Sequence, residues 1–463
     1  MFTVMLTLVV VPMVGLAIDG AFLYLIQSRL SAATDAAALA GARSLSVGLN
    51  LASQTASAQA TAQTYFTANF PSGVLRTYNV VFSAGVAQTS LKVRTVTIQV
   101  SVTAPLYFMR ILGHSSSTVT ASSQASRRDV NMMLVLDRSS SMASAGVCGT
   151  MISSAQNFVS RFTNGRDTIG MVTFTGAAGL DYAPTVDFLS NTPSLPTVIG
   201  ELECEGNTGS AEALWLAYQQ IIALNQPGSL NLIVFFTDGL ANGVTAAYPK
   251  KTSTDTRWNA ASTAQVSSPP SSCTGAGPFT GYIAQWANWV TPGPTDGIFG
   301  QTTTSVTDAG ETVISAPGCS FTSSSGNVRQ DIAYMPTTDL YGSQTVGYTT
   351  VSSDYYTSGP YINQLRVDTP SAIQHSSTNA ADSAASRIRA DTTYTPVIYS
   401  IGLGGTVTTG QVDPVFLNRV ANTLQSTSYN SSEATGYYVY APTAAELSSA
   451  FETVVSQILR LSQ

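Results

Sequence analysis

From Val130 onward, short wholly apolar runs alternate with segments of helical period, and few architectures accept that alternation. Runs 132–136 and 232–236 carry no polar side chain, as strands buried on both faces of a parallel sheet require. After the first run, Ile152, Ala155, Val159 and Phe162 recur at helical spacing; before the second, Leu214, Ala217, Ile221 and Leu224 do the same. Further strands are expected at 169–174, 186–189 and 396–401, and a helix at 380–390. Asp413 and Pro414 supply N-cap and N1 residues for a helix carrying Phe416, Val420 and Leu424. A last strand at 437–440 leads to a helix whose Leu447, Phe451, Val454, Ile458 and Leu461 form one apolar stripe. The fold class is therefore α/β: a doubly wound, mostly parallel sheet with helices on both faces.

The alternation is interrupted at about 243–373 by roughly 130 residues rich in Ser, Thr, Gly, Pro, Tyr and Trp, long enough to be a functional loop or a subdomain. Tyr282, Trp286 and Trp289 lie there at helical spacing and read as a local core. The four cysteines are Cys148, Cys204, Cys273 and Cys319, with no CxxC pair and no His cluster beside them, so disulfides are expected over zinc, in any of three pairings. Cys273 and Cys319 both fall in the interruption, which reads as an insertion stapled by its own bridge.

Residues 1–26 are apolar apart from Thr3, Thr7 and Asp19, about the length of one membrane-spanning helix, and no Lys or Arg precedes them as in a cleavable signal. They read as an uncleaved anchor, with Asp19 expected near the interface on its final turns; an intramembrane functional acid is the alternative. An Ala-rich helix at 27–46, a second helix at 52–70 and strands at 77–82, 92–102 and 117–123 make residues 27–128 a small α+β juxtamembrane module. Residues 129–463 form the α/β domain. Only 10% of residues are charged, a hydroxyl- and amide-rich composition that suits the extracytoplasmic side. A net charge of -6 without a basic stripe excludes nucleic acid as a partner.

Asp137, Ser139 and Ser141 follow directly on run 132–136, so they sit at the carboxyl end of a buried strand, where open α/β sheets bind ligands. Two further strings sharpen the pattern: residues 207–210 (NTGS) before a helix, and residues 237–239 (TDG) after run 232–236. Three hydroxyls and two carboxylates suit a hard cation such as Mg²⁺, which prefers six oxygen ligands. Capping of helices by the same residue types is the plain alternative for any one string, but not for all three in register with strand ends.

In this form, LVLDRSSSM, NTGSAEAL and FFTDGLAN, the chain resembles the von Willebrand factor A family over about 130–243 and 380–463. The resemblance implies a metal-ion-dependent adhesion site built by Asp137, Ser139, Ser141, Thr208 and Asp238. It would hold Mg²⁺ or Mn²⁺ and leave a position for a Glu or Asp of a protein partner. Cys148 and Cys204 flank those loops, so a Cys148–Cys204 bridge at the rim of the site is expected, with Cys273–Cys319 as the second.

Residues 12–42 resemble the start of Tad/Flp pilus-assembly proteins of the TadE/TadG-like group, with one anchor, an Asp near its end and an Ala-rich helix. That resemblance implies pilus assembly or envelope biogenesis, with a pilus, secretion-system or surface component as partner. A surface adhesin using the same metal face is the alternative, and a hydrolase in the insertion a weaker one. His114, after a glycine in a turn, and His375, in a Ser/Thr-rich segment, read as surface residues outside any catalytic motif, so no enzyme is expected.

Overall fold

The protein is described by a computed structural model covering residues 2–45, 51–90, 93–227, 229–249, 279–284, 296–300, 306–308, 311–314, 321–322, 333–367, 369–404 and 412–461. The chain divides into two units, one of residues 1–129 with 162–166 and 459–463, the other of residues 130–161 with 167–458.

In the first unit, helix α1 (Phe2–Ser44) and helix α2 (Leu51–Asn69) cover one face of an antiparallel meander, β1 (Tyr78–Ser90), β2 (Val93–Pro105) and β3 (Ser116–Arg128). Strand β2 alternates as a half-buried strand must: Val96, Ile98, Val100 and Val102 point into the core. They meet Ala33, Ala37 and Ala38 of α1 and Ala58, Ala62 and Phe66 of α2. Small alanines on both helices let their backbones approach the sheet closely. The stretch Met13–Ser44 of α1 is, among the described residues, the one helix long and apolar enough to cross a membrane.

The second unit is built on a six-stranded sheet. In chain order come β4 (Val130–Asp137), helices α3 (Ser140–Ser144) and α4 (Cys148–Val159), β5 (Thr168–Phe174) and β6 (Ala178–Thr185). Helices α5 (Leu195–Gly200) and α6 (Ser210–Leu224) follow, then β7 (Leu230–Thr237). After β8 (Gly243–Tyr248), β9 (Phe279–Ala284), β10 (Asp296–Gly300), β11 (Val306–Asp308), β12 (Glu311–Ile314) and β13 (Phe321–Thr322), helix α7 (Pro370–Arg389) returns the chain to the sheet. It ends with β14 (Val397–Leu403), α8 (Pro414–Ala421), β15 (Tyr437–Ala441) and α9 (Ala444–Leu461).

The sheet order is β15-β14-β7-β4-β5-β6, parallel throughout except for β6, which runs antiparallel to β5. Strands β4, β5 and β7 are buried at every position, because helices cover both faces. Met133, Val135, Ile233 and Phe235 face α6, α7 and α8. On the opposite face Phe451 of α9 packs on Phe236 and Phe158 of α4. Asp413 caps α8 as its sequence predicts, accepting from the Val415 and Phe416 amides.

Four expectations need correction. The helix expected at 380–390 begins at Pro370, so α7 starts inside the expected insertion, and Leu424, expected on α8, lies past the end of that helix and is 69% exposed. The strand expected at 186–189 lies earlier, at Ala178–Thr185, and 186–190 is a turn anchored by the buried Phe188. Asp181 and Pro184 disguise it: proline has no N–H to give a ladder and is tolerated because β6 is an edge strand. In the insertion, Tyr282 is not helical but belongs to β9, in a small antiparallel sheet of order β13-β10-β9-β8. It is 2% exposed, so its core role stands, whereas Trp286 and Trp289 lie outside the described residues. Behind β8 and β9, Val244, Tyr248 and Ile283 meet Met335, Leu365 and Ile373 in a core of their own.

Candidate metal centre

Strand β4 feeds β5 and β6 on one side, whereas β7, on its other side, leads away to β14 and β15. The loops leaving β4 and β7 therefore part in opposite directions, and the crevice between them is where a doubly wound sheet takes a ligand. Asp137 ends β4 and Asp238 follows β7, so the two carboxylates face one another across that crevice.

A chain of hydrogen bonds joins four of the five residues. Asp137 Oδ1 accepts the Ser139 amide at 2.9 Å; Ser139 and Ser141 hydroxyls lie 2.9 Å apart; Ser141 donates to Asp238 Oδ1 at 2.8 Å. Thr208 stands differently. Its amide donates to Asn242 Oδ1 at 2.8 Å and its carbonyl accepts from the Asn242 and Gly243 amides, which ties its loop to the one after Asp238. Its hydroxyl has no hydrogen bond among the described residues.

Close backbone packing brings the Thr208 loop in. The Gly209 amide donates to Thr175 O at 2.6 Å, and a Cβ at Gly209 would lie 2.6 Å from Gly176 O, so no other residue fits without moving the loop. The segment before Thr208 is bound to the Asp137 loop by Ser140 N to Gly206 O and Glu205 N to Arg138 O. The expected Cys148–Cys204 disulfide is present across these same segments, with Cα atoms 6.1 Å apart. Cys273 and Cys319 lie outside the described residues.

Asp137 is fully buried and Asp238 nearly so, at 5% exposure. Burial raises the carboxyl pKa of Asp137 against the hydrogen bonds from Ser139 and Thr237. Asp238 is pushed up to about 7, by burial first and by the charge of Asp137 second. Two buried acids thus stand among hydroxyls, and the charge of one disfavours the ionisation of the other. Among the described residues no group of three or more His, Cys, Asp and Glu is placed to hold a metal. The donors here are instead three hydroxyls and two carboxylates, a set of hard oxygens that fits Mg²⁺ or Mn²⁺ and not a thiophilic ion.

Sequence reasoning missed three supporting residues. Thr237 donates to Asp137 Oδ2 at 2.6 Å, and Asn242 ties the Thr208 loop as described; both lie in the FFTDGLAN string, which named only Asp238. Glu212, in the first turn of α6, accepts from Thr245 at 2.9 Å and from Tyr341 of the insertion. Its pairing could not be read, because Tyr341 is 129 residues away. His114 is exposed as expected, but His375 is not a plain surface residue: it lies in α7 with Nδ1 2.8 Å from Asp354.

Burial raises the Glu212 pKa to about 7, against hydrogen bonds from Tyr341 and Thr245. Folding thus strengthens its hold on a proton, so its contribution is fully present below the unfolded value near 4.5 and declines as pH rises to about 7. The loss amounts to about 3 kcal/mol. Urea midpoints measured across that window in Glu212→Gln should lose this part of the slope; an unchanged slope would place the proton elsewhere.

Residues 132–240 match the family described as von Willebrand factor type A domain, and residues 1–44 match the Flp pilus-assembly TadE/G-like family. None of the curated proteins compared with the chain matches it. Similar solved structures include the pilus adhesin SpaC from Lactobacillus rhamnosus GG, at 10% identity and TM-score 0.38, covering 83% of this chain. The chain spans 35% of the length of SpaC. The vWF domain of the type V pili tip protein Mfa5 from Porphyromonas gingivalis has 16% identity and TM-score 0.38, covering 73% of this chain and 97% of its own. The PilB minor pilin from Streptococcus sanguinis has 12% identity and TM-score 0.36, covering 84% and 79%. The chain thus joins a segment that matches the TadE/G-like family, residues 1–44, to an α/β domain of von Willebrand factor A-like fold, matched over residues 132–240.

Proposed function

We propose that this is a membrane-anchored binding protein of Tad/Flp-type pilus assembly or envelope biogenesis, and that it takes a partner's Glu or Asp on a divalent cation. Asp137, Ser139, Ser141, Thr208 and Asp238 would hold the Mg²⁺ or Mn²⁺, whose part is to offer positive charge to a carboxylate. The observation that carries this reading is the placement of two buried carboxylates at the β4/β7 crevice, linked through Ser139 and Ser141, with no hydrogen bond to the Thr208 hydroxyl among the described residues.

On this reading residues 1–26 are the anchor, 27–128 the juxtamembrane module, and 129–463 the binding domain with its insertion at about 243–373. The bulk of the chain lies on the extracytoplasmic side, a placement supported by the Cys148–Cys204 bridge, since disulfides persist in oxidising compartments. The role we propose is binding and not catalysis, with the strand-end hydroxyls and carboxylates serving as oxygen donors to the cation.

A pull-down from envelope extract tests the reading. Wild type with Mg²⁺ should retain an envelope protein that is released by a chelator and never retained by Asp137→Ala. Retention that ignores both the chelator and the substitution would sink the metal-dependent reading.

A further inference from the structure

Within the first unit, the connection between β2 and β3 runs down beside α1 and not away from it. Asp19 Oδ1 accepts the Tyr107 amide at 2.9 Å, and Oδ2 accepts the Phe108 and Met109 amides at 3.0 and 2.8 Å. One turn earlier, a Cβ at Gly15 would lie 2.7 Å from Phe108 Cβ, so only glycine allows this approach. One turn later, Phe22 meets the Tyr107 ring edge-on at 5.4 Å. Gly15, Asp19, Phe22 and the buried Ile26 fall at the i, i+4, i+7, i+11 spacing of one helix face, which is the seam that receives the loop.

The loop is shaped for an environment without water. Asp19 satisfies three of its amides, and Ile111, Gly113 and His114 donate to Phe108, Arg110 and Met109 carbonyls within the loop. Its apolar side chains nevertheless point outward: Ile111 is 82% exposed, Leu112 66%, and Phe108 is exposed as well. Exposed Arg110 and His114 flank them. In the neighbouring turns α1 exposes Met13, Leu16 and Ile18, on either side of the seam, so helix and loop both present apolar side chains outward here.

We propose that the loop from Tyr107 to Gly113 is a second membrane-contacting element, inserted at the boundary of headgroups and acyl chains alongside α1. Amides that already have partners can enter an apolar medium at low cost, whereas unsatisfied ones cannot. Apolar side chains flanked by a basic residue and a tyrosine suit that boundary, with Arg110 reaching lipid phosphates. Asp19 then serves neither as a proton carrier nor as a bare charge in lipid; it is the clamp that holds the wedge on the helix. The unit is fixed to the bilayer at two points and cannot swivel on a single stalk.

This inference rests on α1 being a membrane anchor, and the test separates the two. The full chain is reconstituted in nanodiscs of phosphatidylcholine with a minority of phosphatidylglycerol. A photoreactive benzoylphenylalanine replaces Leu16, Ile111 or, at the far end of the sheet, Ala87, whose strand partner is Thr95. Mass analysis of the adducts should find lipid attached at positions 16 and 111, several-fold above position 87. Lipid at 16 with only background or protein adducts at 111 overturns the wedge and leaves the anchor standing. Background at both positions overturns the anchor and the wedge together.

Discussion

Calorimetric titration with Mg²⁺ or Mn²⁺ is expected to show one binding site in the wild-type protein and none in the Asp137→Ala, Asp238→Ala double variant. The two carboxylates supply the only formal negative charge among the five proposed ligands, and neutral hydroxyls alone do not strip water from so strongly hydrated an ion. Thr237→Val gives an intermediate result. Its hydroxyl donates to Asp137 Oδ2, so its removal frees that carboxylate to turn, at a cost in affinity of about tenfold. The double variant should remain folded, because it deletes two buried acids that destabilise each other in the cation-free protein. Its urea midpoint without cation should equal or exceed that of wild type, and added Mg²⁺ should raise only the wild-type midpoint. Equal heats of binding in both proteins would remove the cation from this crevice.

What the sequence made legible follows from where information is local. Strands buried on both faces advertise themselves as apolar runs, and runs 132–136 and 232–236 fall within one or two residues of the ends of β4 and β7. The amphipathic helix α6 is equally visible, and so is the capped start of α8, whereas its end is not: Leu424 keeps the helical spacing but lies beyond the αL residue Asn422 that stops the helix. Strand β6 was not visible, since an edge strand carrying Asp181 and Pro184 reads as a loop and its pairing with β5 is a tertiary fact. Tyr282 misled for the opposite reason: aromatic residues spaced four and three apart fit a helix as readily as a chance pattern, and only the neighbouring strands decide. At the site, Asp137, Ser139, Ser141 and Asp238 were legible as short strings beside strand ends, and the structure brings them into one hydrogen-bonded chain. Glu212 with Tyr341, and Asp19 with the Tyr107 loop, were illegible because each joins residues about 90 or more apart through groups that have no sequence signature.

Removal of the Cys148–Cys204 bridge by the Cys148→Ser, Cys204→Ser double substitution should lower the stability of the second unit by about 4 kcal/mol while leaving the site assembled. The bridge closes a loop of 56 residues, and in the chain-entropy account a loop of that size restricts the unfolded chain by about that amount. The folded state loses less. The same two segments remain joined by Ser140 N to Gly206 O, Glu205 N to Arg138 O and the Arg138 guanidinium to Glu203 O, which hold the Asp137 and Thr208 loops in register without the sulfur atoms. Urea denaturation of the double variant beside the oxidised wild type measures the first effect, and titration with Mn²⁺ the second: a much lower midpoint with the same stoichiometry of binding. If the midpoint is unchanged, the bridge is not restricting the unfolded chain. If the midpoint falls but binding stoichiometry also drops, the disulfide and not the backbone lattice is what keeps the two loops together.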